Sequence, residues 1–133
     1  MSEDAVDPAK PIPKKILLVE DNHLNRQMLE DYLVFCGYQV VGLELGKEYF
    51  QALADFMPDL VLLDLKLPDL DGYTLLEQTR LIPECQAIPI IVVSAYAFKA
   101  DRQRALNLGA SRYFVKPVSL NNLKQAIEEE LPK

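Results

Sequence analysis

Acidic residues stand at the ends of two apolar segments of the chain, where charged side chains are unexpected. Glu20 and Asp21 follow the run ILLV, and Asp64 closes the run LVLLD. Ionised carboxylates are rarely buried without a partner or a metal ion. Three carboxylates brought together repel one another and imply a cation, and an all-oxygen ligand set favours Mg²⁺, with Mn²⁺ as the alternative.

Two later apolar segments, IPIIVVS and RYFVK, end in Ser94 and Lys116. A hydroxyl donor and a mobile ammonium suit a phosphoryl group better than a carbonyl group. A carboxylate can act as the nucleophile toward phosphorus, and Asp64 is central to this set. Taken singly, each residue has a structural explanation: Asp21 can cap the following helix, and Ser94 and Lys116 can be turn and surface residues. Together they favour a site for phosphoryl chemistry.

The elements that must position these residues alternate between strand and helix from Lys15 onwards. Strands are predicted at 16–20, 39–43, 60–64, 88–94 and 112–116. Helices are predicted at 22–36, 73–82 and 98–108, together with a short helix that ends at 56 and a last helix that begins at 120. Ser119 is expected to cap the last helix, whose apolar stripe is Leu120, Leu123, Ile127 and Leu131. Such alternation predicts an α/β fold with a parallel sheet covered on both faces. Ligands of such sheets bind outside the carboxyl ends of the strands, which is where the polar residues fall.

Composition excludes several classes of protein. The 133 residues, half of them hydrophobic, fit one domain at 15–133 after a flexible arm at 1–14 that is rich in proline and charge. A net charge of −6 argues against direct binding of nucleic acid. Without an apolar run of roughly 20 residues or a signal peptide, we expect a cytoplasmic protein with no membrane partner. Cys36 and Cys85 are expected to be reduced core residues.

Four motifs, LLVEDN, LLDLKLPDLDG, VVSA and YFVKP, resemble in order and spacing the receiver domain of bacterial two-component response regulators. The resemblance covers residues 15 to 131. The string EDNHLNR resembles receivers of hybrid histidine kinases and phosphorelays more than receivers fused to DNA-binding modules. The chain as a whole resembles receivers of the single-domain or hybrid-kinase and phosphorelay type. The resemblance implies a doubly wound, flavodoxin-like (βα)5 sandwich whose parallel sheet has the strand order 2-1-3-4-5.

The resemblance also implies a role for each site residue. Asp64 would be the phosphoacceptor, Asp21 would bind Mg²⁺ directly, Glu20 would act through a metal-bound water, and Lys66 would contribute its backbone carbonyl. Ser94 and Lys116 would contact the attached phosphoryl group. The remaining positions are the aromatic switch residue Tyr113, which acts with Ser94, and the structural residues Pro68, Gly72 and Pro117, the last after a cis peptide bond.

The function implied is that of a regulatory domain rather than an independent enzyme, although it would assist its own phosphorylation and dephosphorylation. It would accept a phosphoryl group from a histidine kinase or a histidine phosphotransfer protein. Phosphorylation would switch the face formed by the fourth helix, fifth strand and fifth helix toward an unidentified downstream protein. Apolar residues near the last two helices fit a homodimer interface as well as a core. The initial Met favours a free-standing regulator over a receiver excised from a hybrid kinase.

Three alternatives share parts of this pattern. A flavodoxin-like cofactor binder fits poorly because Glu20 and Asp21 would repel a phosphate. A haloacid-dehalogenase-type phosphatase needs a second acid two residues after the nucleophile, where this chain has Lys66. The third alternative is a receiver-like interaction module that acts without phosphorylation. Such modules usually lose part of the acidic set or the lysine, and here both are present.

Overall fold

The computed structural model describes residues 12–131, so residues 1–11 of the predicted arm lie outside the described part. The strands are β1 Lys15–Val19, β2 Gln39–Leu43, β3 Leu60–Leu63, β4 Ile90–Ser94 and β5 Arg112–Val115. The helices are α1 His23–Phe35, α2 Tyr49–Phe56, α3 Gly72–Arg80, α4 Lys99–Asn107 and α5 Leu120–Glu130. Two short 3-10 helices, Gly46–Glu48 and Pro83–Cys85, were not predicted from the sequence. No helix within residues 12–131 is long and apolar enough to cross a membrane.

The five strands form one parallel sheet in the order β2-β1-β3-β4-β5, which confirms the predicted fold class. Strands β3 and β4 are buried along their whole length because helices cover both faces of the sheet. One face packs against α2, α3 and α4, and the other packs against α1 and α5. The fold is therefore doubly wound, with its strand order reversing between β1 and β3.

Three strands end one residue earlier than predicted. β1, β3 and β5 end before Glu20, Asp64 and Lys116, because these polar side chains turn into the space beyond the sheet. Each residue still donates its backbone N–H to the neighbouring strand, over 2.9 Å to Leu43 O, 3.0 Å to Val19 O and 2.8 Å to Ser94 O, respectively. In each of these three pairs of neighbouring strands, the last backbone hydrogen bond thus anchors a charged residue at the rim of the sheet.

Three other sequence predictions met different outcomes. The cap of α1 is Asn22, whose side chain accepts a hydrogen bond from Asn25 N at 2.9 Å, so the alternative in which Asp21 caps this helix is wrong. Ser119 caps α5 as predicted. Both cysteines are reduced, but only Cys85 is buried, and Cys36 is partly exposed.

Arg80, at the end of α3, binds the main chain of two turns that precede β4 and β5. These turns lie at the amino ends of the strands, away from the acidic residues at the carboxyl ends. Its Nε and one terminal nitrogen donate to Gly109 O at 3.0 and 2.8 Å. Its other terminal nitrogen donates to Cys85 O at 3.0 Å and to Ile88 O at 2.7 Å. A single guanidinium therefore satisfies carbonyl groups of two separate loops.

We expect Arg80→Ala to lower the free energy of unfolding by about 2–4 kcal/mol. Hydrogen bonds from charged groups are worth roughly 1.5–3 kcal/mol each, and water should replace part of the several that are lost because Arg80 is only partly buried. Urea denaturation followed by circular dichroism measures this change. Arg102→Ala is the matched control, since Arg102 is exposed on α4. Its effect should stay within about 0.5 kcal/mol. Equal stability of the two variants would show that water replaces the guanidinium at these carbonyl groups.

Candidate functional site

The carboxyl ends of β1 and β3 bring Glu20, Asp21 and Asp64 together. One carboxylate oxygen of each residue lies within 4.8 Å of the other two. Glu20 and Asp64 are buried, whereas Asp21 is exposed at the mouth of the cluster. The cluster opens into a cleft of about 450 Å³. The predicted convergence of these three carboxylates is therefore present in the structure.

Lys116 lies between the two buried carboxylates. Its Nζ is 2.6 Å from Glu20 Oε1 and 2.7 Å from Asp64 Oδ2. When all four groups are ionised, three negative charges and one positive charge leave a net charge of −2. One divalent cation would neutralise that charge, so the electrostatics of the cluster fit a divalent metal ion.

Burial affects the two sides of this ion pair differently. Burial raises the pKa of Glu20 above its ordinary value, and hydrogen bonds from Lys116 and Asn22 only partly offset the shift. Burial alone would lower the pKa of Lys116, but hydrogen bonds to Asp64 and Glu20 outweigh this effect and raise it. Lys116 consequently remains a cation at neutral pH.

Lys66, predicted to offer its backbone carbonyl, lies in the wall of the cleft. Its backbone N–H donates to Asp64 Oδ1 at 3.0 Å, and it pairs with Asp71 in an isolated β-bridge. The donor set of three carboxylates and a main-chain segment consists of oxygen atoms, which Mg²⁺ prefers. The residues present therefore fit the ion that the sequence implied.

Two residues that support the cluster were missed by the sequence analysis, although both lie in the string EDNHLNR. The backbone N–H of Asn22 donates to Glu20 Oε2 at 3.0 Å. Arg26 donates from a terminal nitrogen to the carbonyl oxygen of Glu20 at 2.9 Å. The start of α1 thus fixes both the side chain and the main chain of Glu20.

Ser94 and Tyr113 are both buried and both bond to the loop that follows β4, and Ala95 of that loop lines the cleft. Ser94 is fully buried, and its Oγ accepts a hydrogen bond from Tyr96 N at 3.2 Å. Within residues 12–131 this hydroxyl makes no hydrogen bond to the three carboxylates. Tyr113 is buried, and its hydroxyl donates to Tyr96 O at 2.7 Å. The loop after β4 therefore connects the two predicted switch residues through the backbone of Tyr96.

The loop between β3 and α3 contains the predicted structural residues Pro68 and Gly72. Pro68 is exposed and lines the cleft. Gly72 is buried, and its N–H donates to Leu65 O at 2.9 Å. A Cβ atom at Gly72 would collide with Leu65 Cα and would lie 2.8 Å from Asp64 O. Glycine is required here because α3 begins in contact with the main chain of Asp64. The Lys116–Pro117 peptide bond, predicted to be cis, is cis.

Known proteins are similar to this chain in sequence and in fold. The polar-differentiation response regulator DivK of Brucella anthropi is 32% identical over 120 residues, which cover 90% of this chain and 98% of that protein. A CheY-like receiver domain protein from Methanospirillum hungatei has a TM-score of 0.83 and 31% identity, over 90% of this chain and 94% of that chain. The receiver domain of the sensor histidine kinase PA1611 from Pseudomonas aeruginosa has a TM-score of 0.81 and 31% identity, over 89% and 97% of the two chains. That crystal structure has a magnesium ion coordinated in its active site cleft.

The family model agrees with these individual similarities. The model of the response regulator receiver domain matches residues 16–128, a span that includes every residue of the acidic cluster and Lys116. Receiver domains are regulatory and bind Mg²⁺ at an acidic pocket. Since the family match, the strand order and the acidic strand ends all agree, this chain belongs to the response regulator receiver domains of two-component signalling.

Proposed function

We propose that the chain accepts a phosphoryl group on Asp64 from a phosphohistidine donor, with Mg²⁺ bound at the acidic cluster. The observation that carries this proposal is the position of Asp64, buried at the end of β3 and contacted by Lys116 beside an open cleft. A buried carboxylate that opens onto such a cleft is poised to attack an electrophile from solvent. The buried ion pair alone would stabilise the fold only weakly, so a role in chemistry explains its presence better.

The transfer of the phosphoryl group exchanges one bond to phosphorus for another and needs no further reactant. A carboxylate oxygen of Asp64 forms the new P–O bond while the P–N bond to the donor imidazole breaks, and its electron pair remains with the imidazole nitrogen. Mg²⁺ would be held by Glu20, Asp21, Asp64 and the carbonyl of Lys66. The ion would neutralise negative charge on the phosphoryl oxygens. Lys116 adds a further positive charge on the same side. Positioning and electrostatics account for most of the rate in such reactions.

Phosphorylation adds roughly 1.5–2 negative charges at the end of β3. The Ser94 hydroxyl would then turn toward the phosphoryl oxygens and release the N–H of Tyr96, whose carbonyl accepts from Tyr113. The change would reach the face formed by α4, β5 and α5. A shift from 1:99 to 99:1 between two states requires about 5.5 kcal/mol of differential interaction. A charge pair at about 4 Å is worth about 4 kcal/mol at an effective dielectric constant of 20, so a few such contacts suffice.

The donor is expected to dock on the start of α1. Leu24 and Met28 are exposed there to 77% and 49%, one helical turn apart. Met28 also lines an opening of about 260 Å³ that reaches Lys116 and Val118. Receiver domains interact with histidine kinases and with downstream effectors. A helical donor with an apolar face could cover these side chains while its phosphohistidine enters the cleft.

Removal of the metal ion tests the proposed function. The full chain is incubated with acetyl phosphate, either with Mg²⁺ or with EDTA, and its intact mass is measured. We expect the gain of one phosphoryl group in Mg²⁺ and no gain in EDTA, because the net negative cluster would repel the incoming phosphate. Equal labelling in both samples would contradict the metal requirement. No labelling in either, under conditions that label an established receiver domain, would favour the phosphorylation-independent interaction module.

A further inference from the structure

Asp69 joins the loop between β3 and α3 to the segment that precedes α2. Its Oδ1 accepts a hydrogen bond from Gly46 N at 2.8 Å, and its Oδ2 accepts one from Lys47 N at 2.9 Å. The two segments also pack closely, because a Cβ atom at Gly46 would lie 3.1 Å from Leu70 Cβ and 3.3 Å from Leu67 Cδ1. Both carboxylate oxygens of Asp69 are therefore used to hold one loop against another.

The same loop has a second attachment, on the side of α3. The bridge between Lys66 and Asp71 closes the loop across its base, and Gly72 N donates to Leu65 O. These contacts hold the two ends of the loop together, whereas the contacts of Asp69 fix its tip to a different part of the molecule. Lys66 is part of the attachment at the base: it pairs with Asp71, its N–H donates to Asp64, and it lines the cleft.

The charge of Asp69 suits this contact. Desolvation alone would raise the pKa of Asp69. Hydrogen bonds from backbone N–H groups, first those of Gly46 and Lys47 and then those of Asp69 and Leu70, together outweigh that effect and lower the pKa. The side chain is therefore ionised at neutral pH and acts only as an acceptor. Hydrogen bonds to an ionised acceptor are stronger than those between neutral groups, which helps an exposed side chain to order a loop.

We propose that Asp69 is a positioning residue for the metal site: it holds the loop that carries Lys66 against the 3-10 helix Gly46–Glu48, and thereby couples cation binding at the acidic cluster to the order of that helix. This inference rests on the proposed function, because the proposed function makes the carbonyl of Lys66 a ligand of Mg²⁺. Coupling of this kind is reciprocal. Loss of the contact weakens cation binding, and cation binding in turn stabilises the contact.

Calorimetric titration with Mg²⁺ alone tests the first half of the proposal. We expect Asp69→Ala to weaken Mg²⁺ binding about tenfold. Direct outer hydrogen-bond partners of metal ligands are worth roughly 10- to 100-fold, and Asp69 acts on Lys66 only through the loop, so its effect should fall at the low end. Asp69→Asn, which keeps one acceptor oxygen, should fall between Asp69→Ala and the wild type. Glu48→Gln is the matched control, because it removes the same charge from an exposed neighbour whose side chain makes no capping hydrogen bond.

The comparison is repeated at high salt, because a general effect of negative charge would be screened there and a positioning effect would persist. Urea denaturation of each variant confirms that it is folded, and Asp69→Asn replaces Asp69→Ala if the latter is not. If the wild type binds Mg²⁺ and both Asp69 variants bind it within twofold of the control, the inference is overturned and the proposed function stands. If the wild type itself binds no Mg²⁺, both fail.

Hydrogen exchange tests the second half, with a readout that a purely structural role would not change. In the wild type, Mg²⁺ should slow the exchange of the amide protons of Gly46 and Lys47, because both N–H groups donate hydrogen bonds to Asp69. In Asp69→Ala these protons should exchange faster and should no longer respond to saturating Mg²⁺. An equal response to Mg²⁺ in both proteins would show that the cation orders this segment without Asp69, and would overturn the coupling.

Discussion

The variant Asp64→Asn is expected to gain no phosphoryl group from acetyl phosphate in the presence of Mg²⁺. An amide oxygen is a far weaker nucleophile than a carboxylate, and asparagine has nearly the same size. The substitution also leaves Lys116 paired with Glu20, so no buried cation is left without a partner. Lys66 N can still donate to the remaining oxygen. The intact mass of the variant is measured over the same time course as that of the wild type, and the absence of the phosphoryl mass gain shows the loss of labelling.

The control for this experiment is Asp55→Asn, on the exposed surface of α2. Asp55 accepts only from the side chain of Gln51 within the described residues, and its loss should leave labelling at the wild-type level. Hydroxylamine treatment of the labelled wild type adds a chemical check, because it cleaves an acyl phosphate and leaves a serine phosphate intact. Wild-type labelling of Asp64→Asn would mean that the phosphoryl group is attached elsewhere.

The variant Gly72→Ala is expected to lose about 1–3 kcal/mol of stability, the usual cost of overpacking a close contact. The added methyl group would lie 2.7 Å from Leu65 O and 2.8 Å from Asp64 O, and both are main-chain atoms that cannot rotate away. Relief of the collision must move α3 or the end of β3. We therefore also expect slower labelling by acetyl phosphate, because α3 packs against the main chain of Asp64 and either movement disturbs that contact. Urea denaturation measures the first effect and the rate of mass gain measures the second.

Thr74→Ala provides the comparison, because Thr74 is exposed in the first turn of the same helix. The preference of alanine for helices should make this variant neutral to slightly stabilised, within about 0.5 kcal/mol. If Gly72→Ala is as stable as Thr74→Ala, the contact between α3 and the Asp64 main chain can open without cost. The requirement for glycine at this position would then need another explanation.

The supporting contacts of the site were much harder to predict than its central residues. Asp69 and Arg80 look like ordinary exposed polar residues in the sequence, yet one fixes a loop tip and the other joins two turns. Both bind main-chain groups, and main-chain groups have no signature in the sequence. Even the cap of α1 was uncertain, because Asp21 and Asn22 are adjacent and both residue types cap helices well. Only the backbone geometry selects Asn22.

The amino-acid sequence by itself determined the alternation of strands and helices, the parallel sheet and the polar residues at the strand ends. Parallel strands place their carboxyl ends at one edge, so Glu20, Asp64 and Lys116 were expected at the same edge, and the strand order 2-1-3-4-5 implied by the resemblance was needed to bring them around one crevice. Their pairing was decided by the tertiary structure, since Lys116 is 96 residues from Glu20 and 52 from Asp64 along the chain. Contacts over such separations depend on how the strand ends and loops pack in three dimensions, and local periodicity carries no information about them.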